Sequence, residues 1–348
     1  MKKKLLLLAC CAITVQAFTQ KAKVRFVANE AGQRVDVLMN GKPFTSFIYP
    51  DALEKPVLYP IQTAGGVTIT RGFPLATRGI ERNDHPHHIG LWFNYESVNG
   101  LDFWNNSYNI PAANKHRYGW IRHVTVDTIQ EGNTAGRLCY TASWESQARK
   151  VLLKEQTRFV FSGNANTRAI ERVTTLTARG DSVLLKDVKD GLLAIRVAGE
   201  LEIPYDKQEP YIDSAGAVTK RTSASNGANG TYITSAGKTG DEAWGTRASW
   251  CMLHGVKEGQ PVSIAIIDHP ANPGYPAYWH ARGYGLFAVN PLGQAVFSNN
   301  KEQLQLKLAP GQSVTFRYLV LITSKEAVTP AMLDKQARQF AGNSFSLP

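Results

Sequence analysis

Apolar and polar residues alternate along much of the chain with the two-residue period of a half-buried strand. Arg34-Val35-Asp36-Val37-Leu38 alternates, Asn40-Gly41 follows, and the pattern resumes from Phe44 to Tyr49. Asn-Gly between two such runs signals a hairpin, because both residues tolerate the positive φ of a tight I′ turn. Runs at Arg137–Trp144, Thr157–Ser162, Ala169–Thr177, Ser182–Lys186 and Leu192–Val197 keep the rhythm. Val262–Ile267, Gly285–Val289, Gln303–Leu308 and Val314–Ile322 complete it, with Ala309-Pro310-Gly311-Gln312 as the reversal between the last two. Helical spacing replaces it near the end. Thr329 suits the N-cap, Pro330 the first helical position and Gly342 the stop, with Met332, Leu333, Ala337 and Phe340 sharing a face. Many short strands and one helix predict an all-β fold, a large β-sandwich with a C-terminal helix. Residues 213–245, rich in Ser, Gly and Asn, read as a long loop or loose hairpin.

Composition narrows the class. With 348 residues, 43% hydrophobic and 19% charged, the chain has material for a core and is not a disordered polymer. It has no Gly-rich phosphate loop, no G-x-S-x-G elbow and no H-E-x-x-H helix, which removes the common nucleotide, serine-hydrolase and zincin readings. Lys2–Lys4, the apolar run Leu5–Val15 and Val15-Gln16-Ala17 form a secretory leader over residues 1–17, so residues 18–348 are expected to be the exported domain. Leu7-Leu8-Ala9-Cys10 offers a lipoprotein box as the second choice. The expected location is the periplasm or the exterior, with an outer-membrane lipoprotein as the lesser alternative and no membrane span. The net charge of +11 includes the three leader lysines and implies a solvated basic surface rather than a nucleic-acid partner. Beyond the leader only Cys139 and Cys251 remain, either paired or as two buried thiols.

The chemistry concentrates in two segments. Three of the eight histidines lie within four residues, in Arg82-Asn83-Asp84-His85-Pro86-His87-His88. Pro86 biases His85 toward an extended backbone. Alternation then puts His85 and His87 on one face and Asp84 with His88 on the other. Two imidazoles so placed can hold a divalent metal with a third ligand, work as an acid/base pair, or form a hydrogen-bonded turn. Asp-His-Pro recurs at Asp268-His269-Pro270, and a Pro-stiffened loop then leads to Tyr278, Trp279, His280 and Arg282. His280 is the candidate third ligand or second base. Asp84, Asp268, His88 and His269 are candidate orienting groups. Trp92, Tyr278 and Trp279 are candidate stacking surfaces, and Arg82 and Arg282 candidate anion holders.

Asp84-His85-Pro86-His87-His88-x-Gly90-Leu91-Trp92-Phe93, with Asn99-Gly100-x-Asp102-Phe103-Trp104, resembles a family of exported bacterial proteins commonly labelled "methane oxygenase PmoA". So do Lys189-Asp190-Gly191-Leu192-x-Ala194-x-Arg196-Val197 and the block from Ile267-Asp268-His269-Pro270 to Tyr284-Gly285-Leu286-Phe287-Ala288-x-Asn290-Pro291. The methane monooxygenase subunit of that name is an integral membrane protein, so the label's activity does not fit this chain. What the resemblance implies is a β-rich exported protein found with carbohydrate-degrading gene sets; the family's common Arg is replaced here by Ile89. A looser, fold-level resemblance is to galactose mutarotase-like sandwiches. The leading expectation is therefore a carbohydrate-active lyase, epimerase or hydrolase, with His85, His87, His280 and Asp268 carrying the chemistry. The alternatives are a non-catalytic glycan-binding sandwich and a metal-dependent oxygenase.

Overall fold

The computed structural model describes residues 21–343; the expected leader and lipoprotein box lie outside them. The fold is all-β, built on two eight-stranded antiparallel sheets. In spatial order the first sheet runs Val24–Asn29, Arg34–Met39, Lys42–Ile48, Val57–Ile61, Leu91–Tyr95, Gly191–Arg196, Leu286–Asn290 and Tyr278–Ala281. The second runs Thr231–Thr234, Trp250–Lys257, Gln260–Asp268, Ser313–Ser324, Thr167–Ala178, Val151–Gly163, Ala135–Ser146 and Gly119–Gln130. Asn40 and Gly41, both at positive φ, make the expected hairpin. The segment read as a loose loop is more ordered than its composition suggests. Glu209–Asp213 and Val218–Arg221 form a hairpin that Ile80–Arg82 completes as a three-stranded sheet, and Thr231–Thr234 edges the second large sheet.

The main core lies between the large sheets and includes Phe47, Phe93, Leu193, Phe287, Tyr140, Phe159 and Phe316. The first sheet is buried on both faces at its centre, which is why its strands read as nearly unbroken apolar runs. Phe93, Leu193, Ile195, Phe287, Val289 and Trp279 point inward. Their neighbours Trp92, Ala194, Leu286 and Ala288 build a smaller apolar cluster on the outer face, with Val57, Tyr59, Ile89 and Trp104. Three glutamates on strands of the second sheet, Glu145, Glu155 and Glu171, are engaged away from this face. Glu155 is enclosed in the sandwich, where Tyr140, Trp144 and Arg172 donate to it. Glu171 pairs with Arg158 and Glu145 with Arg122 and Arg149.

Helix Pro330–Ala341 packs on the outer face of the second sheet through Leu333 and Phe340. Met332 departs from expectation. It is one residue off the 333, 337, 340 stripe and is 46% exposed. Thr329 caps the helix by accepting from the Met332 N–H, so Thr329→Ala should cost about 1 kcal/mol in urea unfolding. A four-residue helix, Gln294–Phe297, lies beside the edge of the first sheet. Cys139 and Cys251 are free, buried thiols. No helix among the described residues is long and apolar enough to cross a membrane.

Candidate functional site

The outer face of the first sheet follows from strand register. Val57, Trp92, Ala194, Ala288 and His280 stand side by side across five strands. Paired residues share a face, so His280 points to the same side as Trp92. Three strand spacings, roughly 14 Å, separate their backbones. Ala194 and Ala288 between them are small and leave a shallow floor. The loop carrying the histidines folds over this floor, and Gly90 ends it at positive φ, where a Cβ would meet Leu58 O at 2.2 Å.

The backbone of that loop corrects the sequence reading. His85 is not extended; its φ is 43°, and the His88 N–H donates back to the His85 carbonyl to close a turn around Pro86 and His87. The alternating faces are therefore lost. The three imidazoles gather, with His88 stacked on His85 at 4.8 Å and His87 edge-on to both, at 5.6 Å from His85 and 4.3 Å from His88. The Pro86 bias is outweighed by Arg71. Its buried guanidinium donates to the carbonyls of Arg82, Asp84, His85 and His88 and to the Asp84 carboxylate at 2.7 Å.

Asp84 Oδ1 accepts from Arg71 and, at 2.6 Å, from Arg196, leaving Oδ2 for His85 Nδ1 at 2.8 Å. Burial works to raise the Asp84 carboxyl, but Arg196, the His85 hydrogen bond and Arg71 together hold it well below the usual carboxylate range. An ionised carboxylate only accepts, so His85 Nδ1 carries a proton and Nε2 is the ring nitrogen turned away from the pair. The His85 side chain is 40% exposed and stacks on Tyr284 at 5.0 Å. His85 is thus an oriented, accessible imidazole, and Asp84 orients it as expected.

His87 and His88 are different. Both are buried, and each keeps an Nε2 without a hydrogen-bond partner. His88 Nδ1 faces the Arg196 guanidinium at 3.1 Å and must accept, which leaves the ring neutral. Burial, then the neighbouring cations and imidazoles, push both rings well below the ordinary histidine value. The sign for stability follows. Below about pH 6.5 the unfolded His88 takes a proton that the folded ring refuses, so stability falls as the pH falls. In His88→Gln this contribution disappears, and the loss between pH 7.5 and 5 should be shallower by up to ~1.4 kcal/mol per pH unit in urea titrations.

His280 is buried, and its Nδ1 lies 3.3 Å from Asp190 Oδ1, off the line of a hydrogen bond. Burial, with Lys189, Arg282 and His85 nearby, lowers it to about 3, so it is neutral at physiological pH. The metal expectation is not met. Among the described residues no group of three His, Cys, Asp or Glu side chains could hold an ion, so His85, His87 and His280 do not form a ligand set.

The second Asp-His-Pro belongs elsewhere. Asp268 Oδ1 accepts from Asn272 Nδ2 and its Oδ2 from the Ala277 N–H, clamping the loop that leads to His280. His269 packs on Phe340 at the helix, across the second sheet. Neither touches the histidine cluster. Three aromatic expectations also change. Trp279 points into the core, with its indole on the Ala248 carbonyl. Tyr278 is buried between Arg247 and Phe297. Trp92 is fully covered, with His88 and Trp104 packed against it. Alternation could not separate a buried outer face from an open one.

The open aromatic surface is next door. A cavity of about 360 Å³ is lined by Tyr205, Trp244 and Tyr284 together with Arg82 and Arg282, so both expected arginines face it. Tyr284 is shared: one wall of the cavity is the ring on which His85 stacks. The sequence reading missed Arg71, Arg196, Lys55, Asp190 and Trp244, and named Tyr284 only as one of the aromatics around the second segment. Arg196, Asp190 and Tyr284 lie in the blocks that carry the resemblance, so a signal existed; Arg71, Lys55 and Trp244 carried none. Lys55, lowered to about 8 by burial, donates to the His87 carbonyl and supports the loop from below.

Solved structures similar to this chain share little sequence identity with it. The galactosidase domain of alpha-galactosidase-sucrose kinase, AgaSK, is 10% identical with a TM-score of 0.38, over 86% of this chain and 41% of that one. A GalM/aldose epimerase homologue from C. elegans is 11% identical with a TM-score of 0.31, over 88% and 100%. A galactose mutarotase-like protein from Clostridium acetobutylicum is 10% identical with a TM-score of 0.33, over 86% and 98%. Scores this low transfer neither residues nor activity. No curated protein matches. Residues 34–338 match a family of unknown function (DUF6807), and with that span of match the chain belongs to this family.

Proposed function

We propose that this protein is an exported carbohydrate-active enzyme that moves protons on a sugar by histidine acid/base chemistry. The observation that carries the reading is the Asp84–His85 pair. A carboxylate pinned by two buried arginines fixes the imidazole tautomer and leaves Nε2 free at an accessible position. General bases are built in this way, with geometry set first and the proton-accepting atom left open. His280, neutral beside Asp190, supplies the second proton-transfer group on the same face. Tyr205, Trp244 and Tyr284 give the neighbouring cavity faces on which a pyranose ring can stack, in a volume suited to one or two sugar units.

A glycan-binding module needs a platform but no pinned carboxylate behind an imidazole, so the Asp84–His85 pair favours catalysis. The test is product analysis by NMR after incubating the mature protein with plant and algal oligosaccharides in D2O. A cleaved or eliminated bond, a changed stereocentre or a new C–D bond supports the proposal. Saccharides that bind and are recovered unchanged contradict it.

A further inference from the structure

We propose that Arg282 receives the carboxylate of an acidic sugar, so that the site takes uronate-bearing glycans in preference to neutral ones. This rests on the acid/base reading above and narrows its substrate class.

The charges lining the cavity are mostly spent on each other. Arg82 donates to Glu202 at 2.8 Å. Lys207 pairs with Glu209 at 2.8 Å. Asp241 takes the Tyr205 hydroxyl, at 2.5 and 2.7 Å to its two oxygens. Arg282 differs. Among the described residues its guanidinium has no ion pair and no hydrogen bond; its Cζ lies 5.7 Å from the centroids of both Trp244 and Tyr284. Aromatic rings attract the guanidinium yet leave its N–H groups unused. That arrangement fixes a planar donor fork whose natural acceptor is a carboxylate, gripped by two parallel bonds.

Its position ties the fork to the chemistry. Arg282 is two residues beyond His280, and its ring partner Tyr284 is the one under His85. A sugar stacked in the cavity with its carboxylate on Arg282 would lie against Tyr284, the ring on which His85 stacks. A carboxylate held by a cation also acidifies the proton on the adjacent carbon, the proton such a pair of imidazoles would move.

The test is isothermal titration calorimetry of the mature protein with galacturonate and glucuronate against galactose and glucose. The inference expects the uronates to bind at least ~10-fold tighter than their neutral parents. Arg282→Gln should remove that preference, and Arg282→Lys should restore part of it. Arg282 is exposed, and an unchanged melting temperature would show that the variants fold. Equal affinity for acidic and neutral sugars overturns the inference, as does a parallel loss for both in Arg282→Gln. Tighter binding of a sulfated sugar than of the uronates overturns it too. The two readings fail separately. Neutral sugars turned over with dependence on His85 would leave the acid/base reading standing and remove the carboxylate. Uronates bound through Arg282 but never converted would do the reverse.

Discussion

Replacing His85 with alanine is expected to reduce turnover of the responsive saccharide by about 10²–10⁴-fold, the usual contribution of a positioned acid or base. The fold should barely notice. The ring is 40% exposed, and its loss removes a stack on Tyr284 worth about 1 kcal/mol. The control is His87→Ala. That ring is buried, so the change should appear as ~1–3 kcal/mol of lost stability, with activity falling only as far as the loop loosens. Initial rates and urea unfolding on the two variants separate the roles. Equal activity losses at both positions would mean that the loop, not the His85 imidazole, is what matters.

Asp84→Ala should be the most damaging single change at the site, because it fails twice. Arg71 and Arg196 have side chains at most 1% exposed, and both aim at Asp84 Oδ1. Without the carboxylate two guanidiniums face each other in a desolvated pocket, and breaking such a buried arrangement typically costs ~3–5 kcal/mol. His85 loses its partner in the same step, so activity should disappear as in His85→Ala. Asp84→Asn keeps the shape and part of the hydrogen bonding. It should recover some stability while remaining far less active, since a neutral amide does not hold the Nδ1–H tautomer as an ionised carboxylate does. Asp84→Asn with full activity would show that the carboxylate charge does not serve His85.

Local pattern was enough for most of the architecture. Asn40-Gly41, the alternating runs and the Thr329–Gly342 helix signals are short-range physics, and the structure realises most of them within a residue or two; the strand read at Thr157–Ser162 begins already at Val151, and the one read at Gln303–Leu308 only at Leu306. The site was legible in part. His85, Asp84, His280, Arg82 and Arg282 converge on one face or its adjoining cavity, but the extended backbone expected at His85 is replaced by a turn that brings His88 together with His85 and His87. The reason is Arg71, distant in sequence, whose carbonyl contacts impose a turn where Pro86 favours an extended chain. The repeated Asp-His-Pro misled in another way. Identical tripeptides ended up on opposite sides of the sandwich, because strand Gln260–Asp268 belongs to the second sheet while the loop after Ile80–Arg82 crosses the first. The aromatic expectations failed on parity. Tyr278 and Trp279 alternate as a strand must, but one is covered by Phe297 and the other enters the core. The open platform came instead from Trp244 and Tyr284, whose proximity is purely tertiary.

Side-chain NMR of the ¹⁵N-histidine-labelled protein, titrated with a saccharide that it converts, tests the location and role of the site together. His85 should show Nδ1 protonated throughout, and its Nε2 signal should shift on binding together with the His280 ring, while His269 stays unmoved. A saccharide that perturbs His269, or that binds without moving His85 Nε2, would contradict the account.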